Sequence, residues 1–304
     1  MRRLLLLVDD RRYIRSNCYQ HQLFTTLARC YRVRVMSARE VRFAPLVRVA
    51  AYDRVLSVLR LRTLVRLAGS VARLLGDRPL YVYEQDVWQA FMDDSPYKGA
   101  YGQLAAQLNI AAFLVTSRWW HDFVVARGLR AKFVRMGMLP EYCDAGPAWE
   151  DRPIRLGFQG TLHPHRRAFY AQLAQMGLEV ETLPPVPYEA YLENLHRMRI
   201  YVHTEDAPWC VDGRMLRRNA LWIKETEVAA RGTFVVRDAE EEGAAYGIAE
   251  LPTVVPFSSR EAVGDIVAWI EAMDPQERRD RMVASAETMR RRDDWMTVVR
   301  AIEA

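Results

Sequence analysis

The hydrophobic positions along the chain change period again and again. RRLLLLV, at 2–8, is an apolar run of strand length, and the polar stretch DDRRYIRS follows it. From Asn17 to Tyr31 the period becomes helical, with Leu23, Phe24, Leu27 and Ala28 on one side and Ser16 or Asn17 placed to cap it. YRVRVMS alternates as a half-buried strand does, and DRVLSVL reads as another strand. Over 60–75, Leu61, Leu64, Val65, Ala68, Val71, Ala72 and Leu75 form one stripe, with Arg62, Arg66 and Arg73 elsewhere around the helix. That stripe suits a helix covering a parallel sheet better than one lying in a membrane interface. PLYVYEQD is a strand ending on Glu84, Gln85 and Asp86. A helix over 99–109, the strand IAAFLVTS, the helix RWWHDFVVARG between its Ser117 cap and Gly128, and a strand in AKFVRMGMLP complete the first half.

The alternation breaks at 140–153, PEYCDAGPAWEDRP, and then restarts. IRLGFQG, LEVETL, RIYVHT, TFVVRD and VVPF are strands; HRRAFYAQLAQMG, PYEAYLENLHRM, the segment from Lys224 to Ala230, and SREAVGDIVAWIEAM are helices. The final 275–303 is helical and charged, anchored by Met282, Met289, Trp295, Val298 and Val299. Strand and helix alternating this often make an α/β fold of two Rossmann-like parallel-sheet domains. They are expected at 1–145 and 152–280, with the 281–304 helix packing back toward the first. Ligands are expected outside the carboxyl ends of the strands, in a cleft between the two.

Composition narrows this picture. At 304 residues and 50% apolar the chain can bury a large core, and no run reaches the ~18 apolar residues of a membrane span. MRRLLLLVDD has the outline of a signal peptide, but its apolar part stops at Val8 before two aspartates and no small-residue cleavage site follows, so it reads as a first strand in a cytoplasmic protein. Cys18, Cys30, Cys143 and Cys210 lack CxxC spacing and suit free thiols. The formal charge of +5 is uneven: residues 1–78 hold 17 arginines against five acids. A phosphorylated substrate, nucleic acid or an anionic membrane surface would meet that segment. The chain also has 40 arginines against three lysines, so a preference for arginine codons supplies part of the excess.

Chemistry concentrates at the predicted strand ends. In GFQGTLHPHRR, Gly157 and Gly160 let a ligand approach the backbone, while His163, His165, Arg166 and Arg167 lead into a helix whose N-terminus suits a phosphate. An ordinary loop with surface arginines is the competing reading. The two histidines stand i,i+2 and are expected on different helix faces, which argues against a metal pair. In LWIKETEVAARGTFVVRD, Lys224 and Glu227 are helix neighbours and Glu225 projects elsewhere. A lysine there can neutralise a phosphoryl oxygen and a glutamate can accept paired hydroxyls; a plain surface ion pair is the alternative. In YVHTEDAPWC, His203 and Trp209 either line a sugar site or belong to a core. On the first half, Asp10, Tyr13, Asn17, Glu84 and Asp86 sit near strand ends; Glu84, Asp86 or His21 are the candidates to remove an acceptor's proton, while His121 is assigned a structural place.

The second half resembles the donor domain of GT-B glycosyltransferases, especially family 4-type and spore-maturation CgeB-like enzymes. KETEVAARG matches their R/K-x-F-E-A-L-A-C-G pattern at Lys224, Glu227, Ala230 and Gly232, and MRIYVHTEDAP, IRLGFQGTLHPHRRAFYAQLAQMGLEVETL and IAAFLVTSRWWHDFVVARGLRAKFVRMGMLPEYCD resemble neighbouring segments. The resemblance implies transfer from a nucleotide-diphosphate sugar, without a metal and with retention at the anomeric carbon. Gly160, His163, Arg166, His203, Lys224 and Glu227 then form the donor site, with Arg166 and Lys224 at the diphosphate and Glu227 at hydroxyls. The chain departs from the pattern at Asn219, where such enzymes carry an earlier glutamate; Glu205, Asp206 and Asp212 are the nearby carboxylates. The implied acceptor is polar or anionic: a natural product, a cell-envelope precursor or modified nucleic acid, with peripheral contact at the inner membrane face open. Another nucleotide-sugar enzyme, or a sugar- or nucleic-acid-binding protein on a degenerate transferase fold, are the alternatives.

Overall fold

The computed structural model describes residues 1–15, 20–43, 49–205, 207–217, 223–238 and 243–304. They gather into two compact units: Met1–Arg135 with Trp209–Leu216 and Asp294–Ala304, and Met136–Pro208 with Arg217–Asp293. The first opens with β1 (Arg3–Val8), α1 (Gln20–Cys30), β2 (Arg32–Ser37), α2 (Ala38–Arg42), β3 (Arg54–Ser57), α3 (Leu61–Leu75), β4 (Leu80–Glu84), α4 (Ala100–Gln107), β5 (Ile110–Val115), α5 (Arg118–Ala126) and β6 (Ala131–Phe133). The second carries β7 (Ile154–Gln159), α6 (Pro164–Gln175), β8 (Glu181–Leu183), α7 (Tyr188–Leu195) and β9 (Met198–His203). The pair β10 (Pro208–Val211) and β11 (Arg214–Arg217) falls largely in the first unit. The second resumes with α8 (Ile223–Ala230), β12 (Phe234–Asp238), α9 (Gly243–Tyr246), β13 (Val254–Phe257), α10 (Ala262–Ala272) and α11 (Pro275–Arg291), and α12 (Met296–Glu303) returns to the first.

In the first unit six strands run in the order β2-β1-β3-β4-β5-β6, and the described pairings are parallel. After Arg3, β1 is apolar because both its faces are covered: Leu4 to Val8 are buried. β2, at the edge, keeps the alternation expected of a strand with one open face. On α3 the buried stripe is Leu61, Thr63, Leu64, Leu67, Ala68, Val71 and Leu75. It is turned slightly from the one read off the sequence: Val65 and Ala72 are only half-buried, while Arg62, Arg66 and Arg73 are exposed as expected. Ser117 caps α5 by accepting from the Trp120 amide (3.1 Å).

The second unit has the parallel order β13-β12-β9-β7-β8. LEVETL forms a strand only at its end, Glu181–Leu183. Gly232, at φ +63°, closes α8 where a Cβ would stand 2.7 Å from the Ala145 carbonyl oxygen, so only glycine suits both the conformation and the space. Arg152, fully buried, donates to the carbonyls of Ala145, Met198 and Arg231 and to Thr233 Oγ1, tying the unit's first segment to its sheet. No helix among the described residues is long and apolar enough to cross a membrane.

Candidate functional site

In the second unit the parallel strands β7, β9 and β12 deliver Gly160, His203 and Asp238 at or just past their carboxyl ends. Gly160 follows β7 at φ +147°, and a Cβ there would stand 3.2 Å from Lys224 Nζ. That close approach lets Lys224 Nζ donate to the Gln159 carbonyl (3.0 Å) and lie 4.8 Å from the centre of the Tyr191 ring. Burial lowers the Lys224 pKa below its ordinary value. Three residues along α8, buried Glu227 accepts from the Tyr188 hydroxyl (2.7 Å). Its pKa is raised by burial, which outweighs the opposing Lys224 charge and the Tyr188 bond. A cation and a hydroxyl acceptor thus share one helix face beside a glycine turn.

Behind them lies a buried charge network. His203 is fully buried, with Nδ1 2.9 Å from Glu225 and Nε2 2.9 Å from Glu205. Arg166 pairs with Glu205 and donates to the carbonyls of Thr161 (2.9 Å) and Thr204 (3.2 Å). Arg237 pairs with Glu225, and Asp238 accepts from the Glu205 amide (2.9 Å). Burial alone would raise Glu225, but Arg237 and His203 together outweigh it and hold its pKa below the usual carboxylate value. His203 therefore stands at a strand end and Arg166 in the first turn of α6, as expected, yet both are committed to internal partners. Glu225, expected to project elsewhere, is one of the two carboxylates that hold His203. Its partners come from β9 and β12, so helix spacing within α8 gave no sign of it.

The first unit has its own concavity, of about 420 Å³, lined among others by Tyr13, Arg60, Arg62, Glu84, Asp86 and Tyr97. Glu84 ends β4 and is 5% exposed; its Oε1 accepts from the Asp86 amide (3.0 Å), and its Oε2 has no partner among the described residues. Burial, reinforced by the Asp86 charge, pushes the Glu84 pKa up to about 8. Asp86 opens the short turn Val87–Ala90 without a side-chain capping bond.

Other sequence candidates fall elsewhere. His21, on α1, has its ring nitrogens at the Ile14 carbonyl (2.8 Å) and Thr25 Oγ1 (3.3 Å). His163 and His165 do not diverge: α6 begins at Pro164, so His163 is its extended N-cap, and the rings stack 5.8 Å apart. Trp209 sits in the first unit, edge-on to Trp88 at 5.0 Å and 5.7 Å from Trp120. Asp212, also there, pairs with Arg127 and Lys98, and His121 with Asp122. Asn17, Asp206 and Asn219 lie outside the described residues.

No protein-family model matches the chain, and no curated protein matches it. Solved structures do. The Anabaena HepE protein in complex with UDP-glucose is 15% identical with a TM-score of 0.63, over 99% of this chain and 98% of that one. The β-glucosyltransferase of T4 phage is 12% identical with a TM-score of 0.60, over 99% and 100%. Sucrose-phosphate synthase from Thermosynechococcus elongatus is 13% identical with a TM-score of 0.61, over 100% and 98%. The fold is that of the GT-B glycosyltransferases, with two Rossmann-like parallel sheets.

Proposed function

We propose that the chain transfers a sugar from a nucleotide-diphosphate sugar to a hydroxylated acceptor, the second unit holding the donor and the first the acceptor. The observation that carries this reading is the grouping of Lys224, Glu227 and the Gly160 turn at the carboxyl edge of the second sheet. Support comes from HepE, which has been solved with UDP-glucose and with UDP in the same fold. The spacing of Lys224 and Glu227 agrees with the family 4-type and CgeB-like pattern.

The barrier to such a transfer contains negative charge growing on the departing diphosphate. Lys224 and the first-turn amides of α6, which have no acceptors within their own helix, meet that charge as it appears. Glu227, oriented by Tyr188, accepts hydroxyls of the donor's ribose or sugar. Arg166 and His203 act from behind, fixing Glu205 and Glu225 so that the strand ends keep their geometry. On the acceptor side Glu84 is the base. The acceptor oxygen forms its bond to the anomeric carbon, its proton passes to Glu84, and the carbon–oxygen bond to the diphosphate breaks with the electron pair on the diphosphate. A single displacement of this kind inverts the anomeric carbon, whereas the sequence resemblance implies retention.

The test is turnover of UDP-glucose and related donors by the full chain, with product configuration read by NMR. Inverted product that disappears in Glu84→Gln supports the mechanism. Retained product removes Glu84 from the role of base, and binding of polyanions alone, with steep salt dependence, removes the transferase reading.

A further inference from the structure

The cavity of the first unit is lined by groups of both charges. Its lining includes Glu84, whose buried Oε2 is unpartnered among the described residues, and Asp86. It also includes the start of the 15-residue helix α3, where Arg60 is the N-cap without a side-chain capping bond and no acid stands in the first turn. In α3 the Thr63 amide already donates to the Arg60 carbonyl (2.8 Å), which leaves the amides of Leu61 and Arg62 at the helix's positive pole. Asp9 Oδ2 accepts from the amide of Arg60 itself (2.8 Å). The Arg60 guanidinium lies 5.3 Å from the centre of the Tyr13 ring and donates to its hydroxyl (2.9 Å), which fixes the fork at the cavity wall. Arg62, exposed and lining the same cavity, has no ion-pair partner among the described residues. Two guanidiniums, a helix N-terminus and a carboxyl lining one cavity of about 420 Å³ fit a small molecule with one anionic group and several hydroxyls. A polyanion fits less well, because Asp9 and Asp86 would repel its further charges.

We propose that this cavity takes a small hydroxylated acceptor bearing one phosphate or carboxylate, the anion held by Arg60, Arg62 and the start of α3 and a hydroxyl presented to Glu84. The assignment rests on the transfer reading and specifies its acceptor. Glucose 6-phosphate, glucuronate and glucose titrated separately into the full chain without donor, followed calorimetrically, test it. One or both anionic sugars should bind at least tenfold more tightly than glucose, and the preferred one shows whether phosphate or carboxylate is read. Exposed Arg62→Gln should weaken the preferred sugar roughly tenfold, the scale of one charge-assisted hydrogen bond. Equal binding of all three, binding of none, or an unchanged affinity in Arg62→Gln would overturn the proposal. So would an oligonucleotide duplex that binds through Arg62 while the sugars do not. UDP-glucose titrated into the same samples reports separately on the donor: its binding without discrimination among the sugars rejects the acceptor class alone.

Discussion

Glu84→Gln keeps the size and shape of a buried side chain and removes its titration. The carboxyl is 5% exposed, and burial with the Asp86 charge raises its pKa from 4.5 to about 8. Between those values the folded chain binds a proton that the unfolded chain has released. The stabilising contribution is therefore complete below the unfolded value and is lost as pH rises through about 8. At ~1.4 kcal/mol for each tenfold gain in proton affinity the full effect is ~5 kcal/mol, of which about 4 kcal/mol falls between pH 5 and 9. The variant should lose this slope, gaining about 4 kcal/mol more over the parent at pH 9 than at pH 5. Urea unfolding at pH 5, 7 and 9, with the transition of the first unit fitted separately, measures it. Parallel pH profiles for parent and variant would refute the reasoning, because Glu84 would then ionise as an ordinary carboxyl. The same titration should appear in turnover, whose rising limb lies near pH 8 in the parent, and the variant should be slower by roughly 10²–10⁴-fold.

Lys224→Ala should slow turnover by roughly 10²–10³-fold, as expected for a group that meets developing phosphate charge; unchanged turnover would make it a bystander. Tyr188→Phe should raise the donor KM several-fold with little change in kcat, since it frees the orientation of Glu227, and equal loss in both constants would argue against a binding role. Glu225→Ala leaves Arg237 and His203 without their shared carboxylate and should destabilise the second unit by about 3–5 kcal/mol in urea unfolding. A loss below about 1 kcal/mol would show that the network is not structural. Replacing Arg62, Arg66 and Arg73 together should affect acceptor use more than donor hydrolysis; equal effects on both would contradict that division.

Local pattern made much of the fold legible. β1 is apolar from Leu4 to Val8 because it is covered on both faces, α3 repeats at helical spacing, and Ser117 and Gly232 announce helix ends by their own conformational preferences. Lys224 and Glu227 were legible for the same reason, being three apart on one helix. The charge network behind them was not: Arg166, His203, Glu225 and Arg237 come from α6, β9, α8 and β12, and the parallel register of β12 beside β9 sets Arg237 next to His203. Nor does sequence spacing show that Trp209 belongs with Trp88 and Trp120, or that Asp93, accepting from the amides of Asp212 and Gly213, pins β10 and β11 to the first unit. The ionisation of Glu84 depends on burial, which a strand-end position alone does not set.

The central claim is that the second unit grips the diphosphate of a nucleotide sugar beside Lys224. A crystal structure of the full chain soaked with UDP-glucose tests it most directly. The diphosphate should lie against Lys224 Nζ and the start of α6, with donor hydroxyls on Glu227; a diphosphate bound away from all three would contradict the claim.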